Sequence, residues 1–119
     1  MAQNGKTILH VGSRELIVQL RDKILDLHGY EVISTVSLDE VLSLFKQRPF
    51  DLVLVDIDGQ ERVPLAERLC EEIRALNPEQ RVGFVCNHWV SIHSNCPDEI
   101  IHAEFNPVAF VEGVKQLLD

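Results

Sequence analysis

Aromatic residues, cysteines and basic charge are scarce in this chain, and long apolar runs are missing. It carries a single tryptophan, a single tyrosine and three cysteines in 119 residues. No apolar stretch approaches the roughly 20 residues needed to cross a bilayer. The opening MAQNGKT has neither the basic end nor the apolar core of a secretion signal, so a cytoplasmic chain is the expectation. Cys70, Cys86 and Cys96 are odd in number and form no CxxC pair, which predicts reduced thiols rather than a disulfide framework. Eleven basic against 19 acidic residues give a formal charge of −8, which repels phosphate backbones and anionic lipid. Nucleic acid and membrane surfaces are therefore not the expected partners. Apolar character is present, at 45% of residues, and suffices for a single domain over residues 1–119 to close a core unaided.

Periodicity divides the chain into alternating strands and helices. Thr7 to Val11 reads as a strand, and beyond Gly12-Ser13 the residues Leu16, Leu20, Ile24 and Leu27 fall on one helical face until His28-Gly29. Glu31 to Val36 is extended, and Ser37 with Glu40 predicts a capping box opening a helix through Val41, Leu42 and Phe45, stopped by Pro49. Leu52 to Val55 is apolar at successive positions, the mark of a central strand covered on both faces, and it ends on Asp56. Pro64 suits the first turn of a helix through Leu65, Leu69, Ile73 and Leu76. Val82 to Cys86 and Ile100-Ile101 read as further strands, and Asn106-Pro107 as the start of a last helix with Phe110, Val114 and Leu117. The intervening stretch 87–99 has no helical face.

This alternation predicts an α/β, three-layer α/β/α fold: a doubly wound, five-stranded parallel sheet of flavodoxin-like order. Sites in such sheets form at the carboxyl ends of strands beside the switch in strand order, which gathers Gly12, Ser13, Asp56, Cys86 and Ala103.

The segments TILHV, DLVLVD, EEIRALNPEQRVGFV and FNPVAFVEGVKQLL, and the spacing from Gly12-Ser13 to Asp56 and on to Cys86, resemble the receiver domains of two-component response regulators. The resemblance runs from Thr7 to Leu118 and places Asp56 at the phosphoacceptor position. It also implies a rewritten pocket. Gly12 and Ser13 stand where the family carries its Mg²⁺-binding acids, Cys86 where it has a phosphate-binding threonine or serine, and Ala103, followed by Glu104, where it has a lysine. Ile100 takes the place of the switch aromatic, and the segment of the family's fourth helix is short or missing. The expectation is a pseudo-receiver in a phosphorelay, without turnover chemistry, that acts by binding a protein such as a histidine kinase or output protein. It needs Mg²⁺ only if Asp56 is phosphorylated. Homodimerisation through the family's fourth helix, fifth strand and last helix is a further expectation, with Trp89 and Phe105 on the contact surface. The alternatives are a working phosphoacceptor at Asp56 and a small flavodoxin-like ligand- or metal-binding protein.

Other constellations are weaker. Asp56 with Asp58 is a minimal metal pair, and a polar turn explains it as well. Arg14 is a candidate ion-pair partner for Asp56, with a solvated arginine as the simpler reading. His88, His93, Cys86, Cys96 and His102 lack zinc-ligand spacing. Cys86 with His88 lacks the third group of a nucleophilic site, and Cys70 falls on a core-lining helix.

Overall fold

All four residues from Leu52 to Val55 are buried, as their unbroken apolar run requires of a strand with a layer on each face. They belong to a computed structural model that describes residues 5–103 and 106–119. The strands are β1 (Thr7–Val11), β2 (Glu31–Thr35), β3 (Leu52–Asp56), β4 (Val82–Cys86) and β5 (Glu99–His102). The helices are α1 (Glu15–Leu27), α2 (Leu38–Gln47), α3 (Val63–Leu76) and α4 (Pro107–Leu118), and a 3₁₀ turn at Gln60–Arg62 leads into α3. The sheet is parallel throughout in the order β2-β1-β3-β4-β5. One core layer packs α2 and α3 against Leu9, Val53 and Phe84; the other packs α1 and α4 against Ile8, Leu54 and Val85.

The local signals that hold are those set by backbone chemistry. Asn106 caps α4, its Oδ1 accepting from Val108 N at 3.1 Å and Ala109 N at 3.2 Å. Pro64 sits in the first turn of α3, and Gly29 turns the chain out of α1 at a φ of 89° that a residue with a Cβ rarely adopts. The expected capping box does not form: Ser37 makes no side-chain cap. The buried Thr35 hydroxyl instead accepts from Ser37 N at 3.0 Å and donates to Glu40 Oε1 at 3.4 Å.

Two expectations are corrected by the fold. Of the residues expected on one face of α1, Leu16, Leu20 and Leu27 are 68%, 52% and 61% exposed and only Ile24 packs partly against the core, while Val18, Arg21 and Leu25 are buried. Both sets fit a helical period; an arginine within the inner stripe made the outer one look the more apolar. Cys70 and Cys96, expected as free thiols, form a disulfide, and Cys86 remains the free cysteine, buried.

No helix joins β4 to β5. Residues 87–98 lie against α3 in irregular backbone, with Val90 and Ile92 turned into the α2/α3 core layer. Gln60 holds this segment by a reciprocal pair, donating to Ser91 O at 2.9 Å and accepting from Ser91 N at 2.7 Å. Among the described residues no helix is long and apolar enough to cross a membrane.

Candidate functional site

The carboxyl ends of β1, β3 and β4 converge as expected, and what they gather is a closed charge cluster. His10, next to the carboxyl end of β1, has no exposed surface. Its Nδ1 lies 2.7 Å from Asp22 Oδ1 and its Nε2 lies 2.9 Å from Asp56 Oδ2. The same Asp56 oxygen is 2.8 Å from Arg21 Nε, a charge contact without the alignment of a hydrogen bond. The Arg21 guanidinium also lies over the Phe110 ring, 5.0 Å from its centre, so an aromatic face helps to hold the cation. The Asp56 side chain is only 7% exposed.

The ionisation of the cluster follows from its hydrogen bonds. Burial alone would lower the His10 pKa. The bonds to Asp22 and Asp56, with the charges of both carboxylates, more than reverse this and hold it above its ordinary 6.5. A neutral imidazole would turn one lone pair toward a carboxylate; the imidazolium donates to both. His10 and Arg21 together then balance Asp22 and Asp56.

The predicted pocket residues surround this cluster without joining its bonding. Gly12 is buried and Ser13 half-buried at the end of β1. A side chain at Gly12 would run into Val18, because α1 packs closely over this end of the strand. Gly12→Asp, which would restore a carboxylate there, is expected to lower stability by about 1–3 kcal/mol through overpacking. An unchanged urea midpoint would show that Val18 yields instead. Gly12 N donates to Thr35 O at 3.1 Å, so it is spent within the sheet and is not free to cradle a phosphate. Asp58 pairs at 3.5 Å with Arg14, which is largely exposed and does not serve Asp56. The arginine on Asp56 is Arg21.

Cys86 lies at the edge of the cluster. Burial, reinforced by the Asp56 charge and partly offset by Arg21, pushes its thiol up to about 11, so it is a neutral and weak donor. Its Sγ lies 3.6 Å from His102 Nδ1, and His88 stacks on His102 with ring centres 5.5 Å apart. Ala103 is buried and Ile100 packs partly into the core. Trp89 is 87% exposed on the segment after β4. Glu104 and Phe105 lie outside the described residues.

A hard dication needs several anionic oxygens. Here Gly12 offers none, Asp58 is paired with Arg14, and the inner oxygen of Asp56 already meets two cationic side chains. The donor set does not fit Mg²⁺. Among the described residues no group of three or more His, Cys, Asp or Glu is placed to hold a metal ion.

Sequence reasoning missed His10, Arg21 and Asp22. A histidine in the otherwise apolar TILHV, on the strand face that α1 covers, was the available signal, since a polar side chain there requires buried partners.

A parallel sheet in this order with an aspartate closing β3 is the CheY-like form of the flavodoxin fold, and the structural neighbours of this chain are receiver domains of response regulators. No family model and no curated protein matches the sequence. The response regulator TrrA of Thermotoga maritima, solved in complex with Mg²⁺-BeF, superposes with a TM-score of 0.80 at 29% identity, over 95% of this chain and 99% of its own. A CheY-like receiver domain protein of Methanospirillum hungatei gives 0.78 at 26% identity, over 96% and 94%. TrrA in complex with the histidine kinase ThkA gives 0.79 at 27% identity, over 96% and 99%. These neighbours support a receiver role in two-component signalling.

Proposed function

We propose that this chain is a receiver-like module that signals by binding a protein partner, with Asp56 held as an internal salt-bridge residue rather than used as a phosphoacceptor. One observation carries the reading: the Asp56 carboxylate is nearly buried, and His10 and Arg21 both lie within 3 Å of its Oδ2, at 2.9 and 2.8 Å. Phosphoryl transfer depends on a nucleophile free to line up with the phosphorus and on cations that neutralise the transferring group. At this site the two nearby cations are already matched to carboxylates of the chain itself. No turnover chemistry is assigned to the domain.

The partner is a protein of the two-component type, a histidine kinase or an output protein, in keeping with the TrrA–ThkA complex. Two exposed apolar features suit docking. One is the outer stripe of α1 with Leu16, Leu20 and Leu27, beside a groove of about 200 Å³ whose walls include Ile17, Ile24, Pro107 and Phe110. The other is Trp89. The likeness to Mg²⁺-BeF-bound TrrA favours a second reading, phosphorylation at Asp56, which requires His10 and Arg21 to release that carboxylate.

Beryllofluoride separates the two. The amide resonances of residues 56–58 and the Trp89 fluorescence are expected to stay unchanged through a Mg²⁺ titration followed by beryllofluoride. A saturable, Mg²⁺-dependent shift at those amides would make Asp56 a working acceptor and overturn the proposal.

A further inference from the structure

The 87–98 segment stands where a regular helix would otherwise cross back to the sheet, and it is held by anchors of different kinds. At its far end Arg74 donates from Nε to Cys96 O at 2.7 Å and from its terminal nitrogen to Asp98 Oδ2 at 2.8 Å. At its near end Gln60 grips Ser91 and Val90 is buried. Between them Cys96 N donates to Ser94 Oγ at 3.1 Å, and before Ser91 the amides of Trp89 and Val90 donate to Asn87 Oδ1 at 2.9 Å and Asn87 O at 3.3 Å. The covalent anchor is Cys70–Cys96, which joins the middle of α3 to this stretch.

The two cysteines meet without help from local sequence. They are 26 residues apart, with Cα atoms 6.3 Å apart, inside the spacing of about 4.4–6.8 Å that a disulfide requires. Arg74, paired with Asp98, tethers the Cys96 carbonyl by a hydrogen bond in the dithiol form, which keeps Cys96 near Cys70 and able to pair again while the stretch before it loses its covalent anchor. Cys70 is fully buried, whereas Cys96 is partly exposed, so of the two it is the residue nearer to an incoming thiolate.

We propose that Cys70–Cys96 is a reversible thiol–disulfide switch that clamps the 87–98 segment onto α3 when oxidised and lets it open when reduced, thereby controlling how Trp89 is presented. Closing consumes a low-molecular-weight disulfide. The Cys96 thiolate attacks one of its sulfurs and releases one small thiol; the Cys70 thiolate then displaces the second, so two protein thiols become one disulfide and two small thiols leave. Opening is the reverse exchange with small thiols. The clamp stands on its own geometry. Only its consequence for a partner rests on the docking role given to Trp89 above.

The test uses the whole chain in glutathione buffers of graded ratio. Each sample is divided, one part denatured, alkylated and weighed, the other exposed under native conditions to chymotrypsin, which cuts after Trp89. From oxidising to reducing buffers the labelled thiols are expected to rise from Cys86 alone to all three cysteines. Cleavage is expected to quicken on the order of tenfold with the same midpoint, because local opening no longer carries the cross-link. Cys96→Ser should match the reduced native protein, and the native protein in reductant decides the matter if that variant folds poorly. Three labels in every buffer would remove the bond, and Cys86 alone labelled in every buffer would make it a permanent staple. A full change in labelling with constant cleavage would leave it no control over the segment. Any of these overturns the switch, and none bears on Asp56.

Discussion

Asp56→Asn is expected to lower stability by about 3–5 kcal/mol, the usual effect of removing one partner from a buried ion pair. The sign is the informative part. In a pocket crowded with carboxylates, neutralising one relieves repulsion and tends to stabilise the fold. In this chain Asp56 is the carboxylate on which His10 and Arg21 converge, at 2.9 and 2.8 Å, and its loss leaves two cations facing each other with Asp22 as their counterion. Asparagine can still accept one hydrogen bond from His10 through its amide oxygen, so the damage comes from the missing charge rather than missing shape. Urea unfolding of the two proteins at pH 7 reads the difference, provided the slopes agree and the transitions are two-state. A variant as stable as the native protein, or more so, would show that the cluster is not held together by Asp56.

The same geometry separates structure from signalling at this position. A phosphoacceptor aspartate is reached from solvent by a phosphoryl donor and a metal. Here the exposed end of the site belongs to the Arg14–Asp58 pair, and the inner oxygen of Asp56 faces β1 and α1. Close packing of α1 over Gly12 closes the space from the helix side, since even a Cβ there would meet Val18. Gly12, His10 and Arg21 thus belong to one arrangement, in which α1 packs closely over the end of β1 and two side-chain cations meet the inner oxygen of Asp56.

The alternation of strands and helices was legible because it depends on local chemistry. The unbroken apolar run Leu52 to Val55 of β3, proline in the first turn of α3 and α4, and asparagine capping α4 act over a few residues, so they read the same in sequence and in structure. The backbone positions of the site were legible for the same reason, since strand ends define them. The chemistry of the site was not. His10, Arg21 and Asp56 come together only once α1 has packed on the sheet, and the inner stripe of α1 was misread because Arg21 interrupts it between Val18 and Leu25. A buried arginine carries no sequence signature apart from its partners. Cys70 and Cys96 were read as reduced for a like reason: cysteine number and motif spacing report on the usual frameworks, not on two residues that a crossover and an irregular segment bring face to face.

His10→Leu offers the largest expected effect after Asp56→Asn and has a pH signature of its own. Leucine fills much the same space but donates nothing, so Asp22 and Asp56 lose the imidazolium that bridges them at 2.7 and 2.9 Å. The expected loss is about 3–5 kcal/mol on the acid side of the ordinary histidine value, where the native imidazolium is favoured. Because the folded-state pKa of His10 lies above its ordinary 6.5, the stability it contributes is complete below 6.5 and fades as the pH rises through the folded value. The difference between native protein and variant should therefore narrow on the alkaline side. The groups facing His10 from the neighbouring elements are Asp22 on α1 and Asp56 on β3, with Arg21 touching Asp56 from α1. Urea midpoints of both proteins from about pH 6 to pH 9 measure it. Two curves that run parallel across this range would mean that His10 is neutral in the fold, and the charge balance assigned to the cluster would have to be given up.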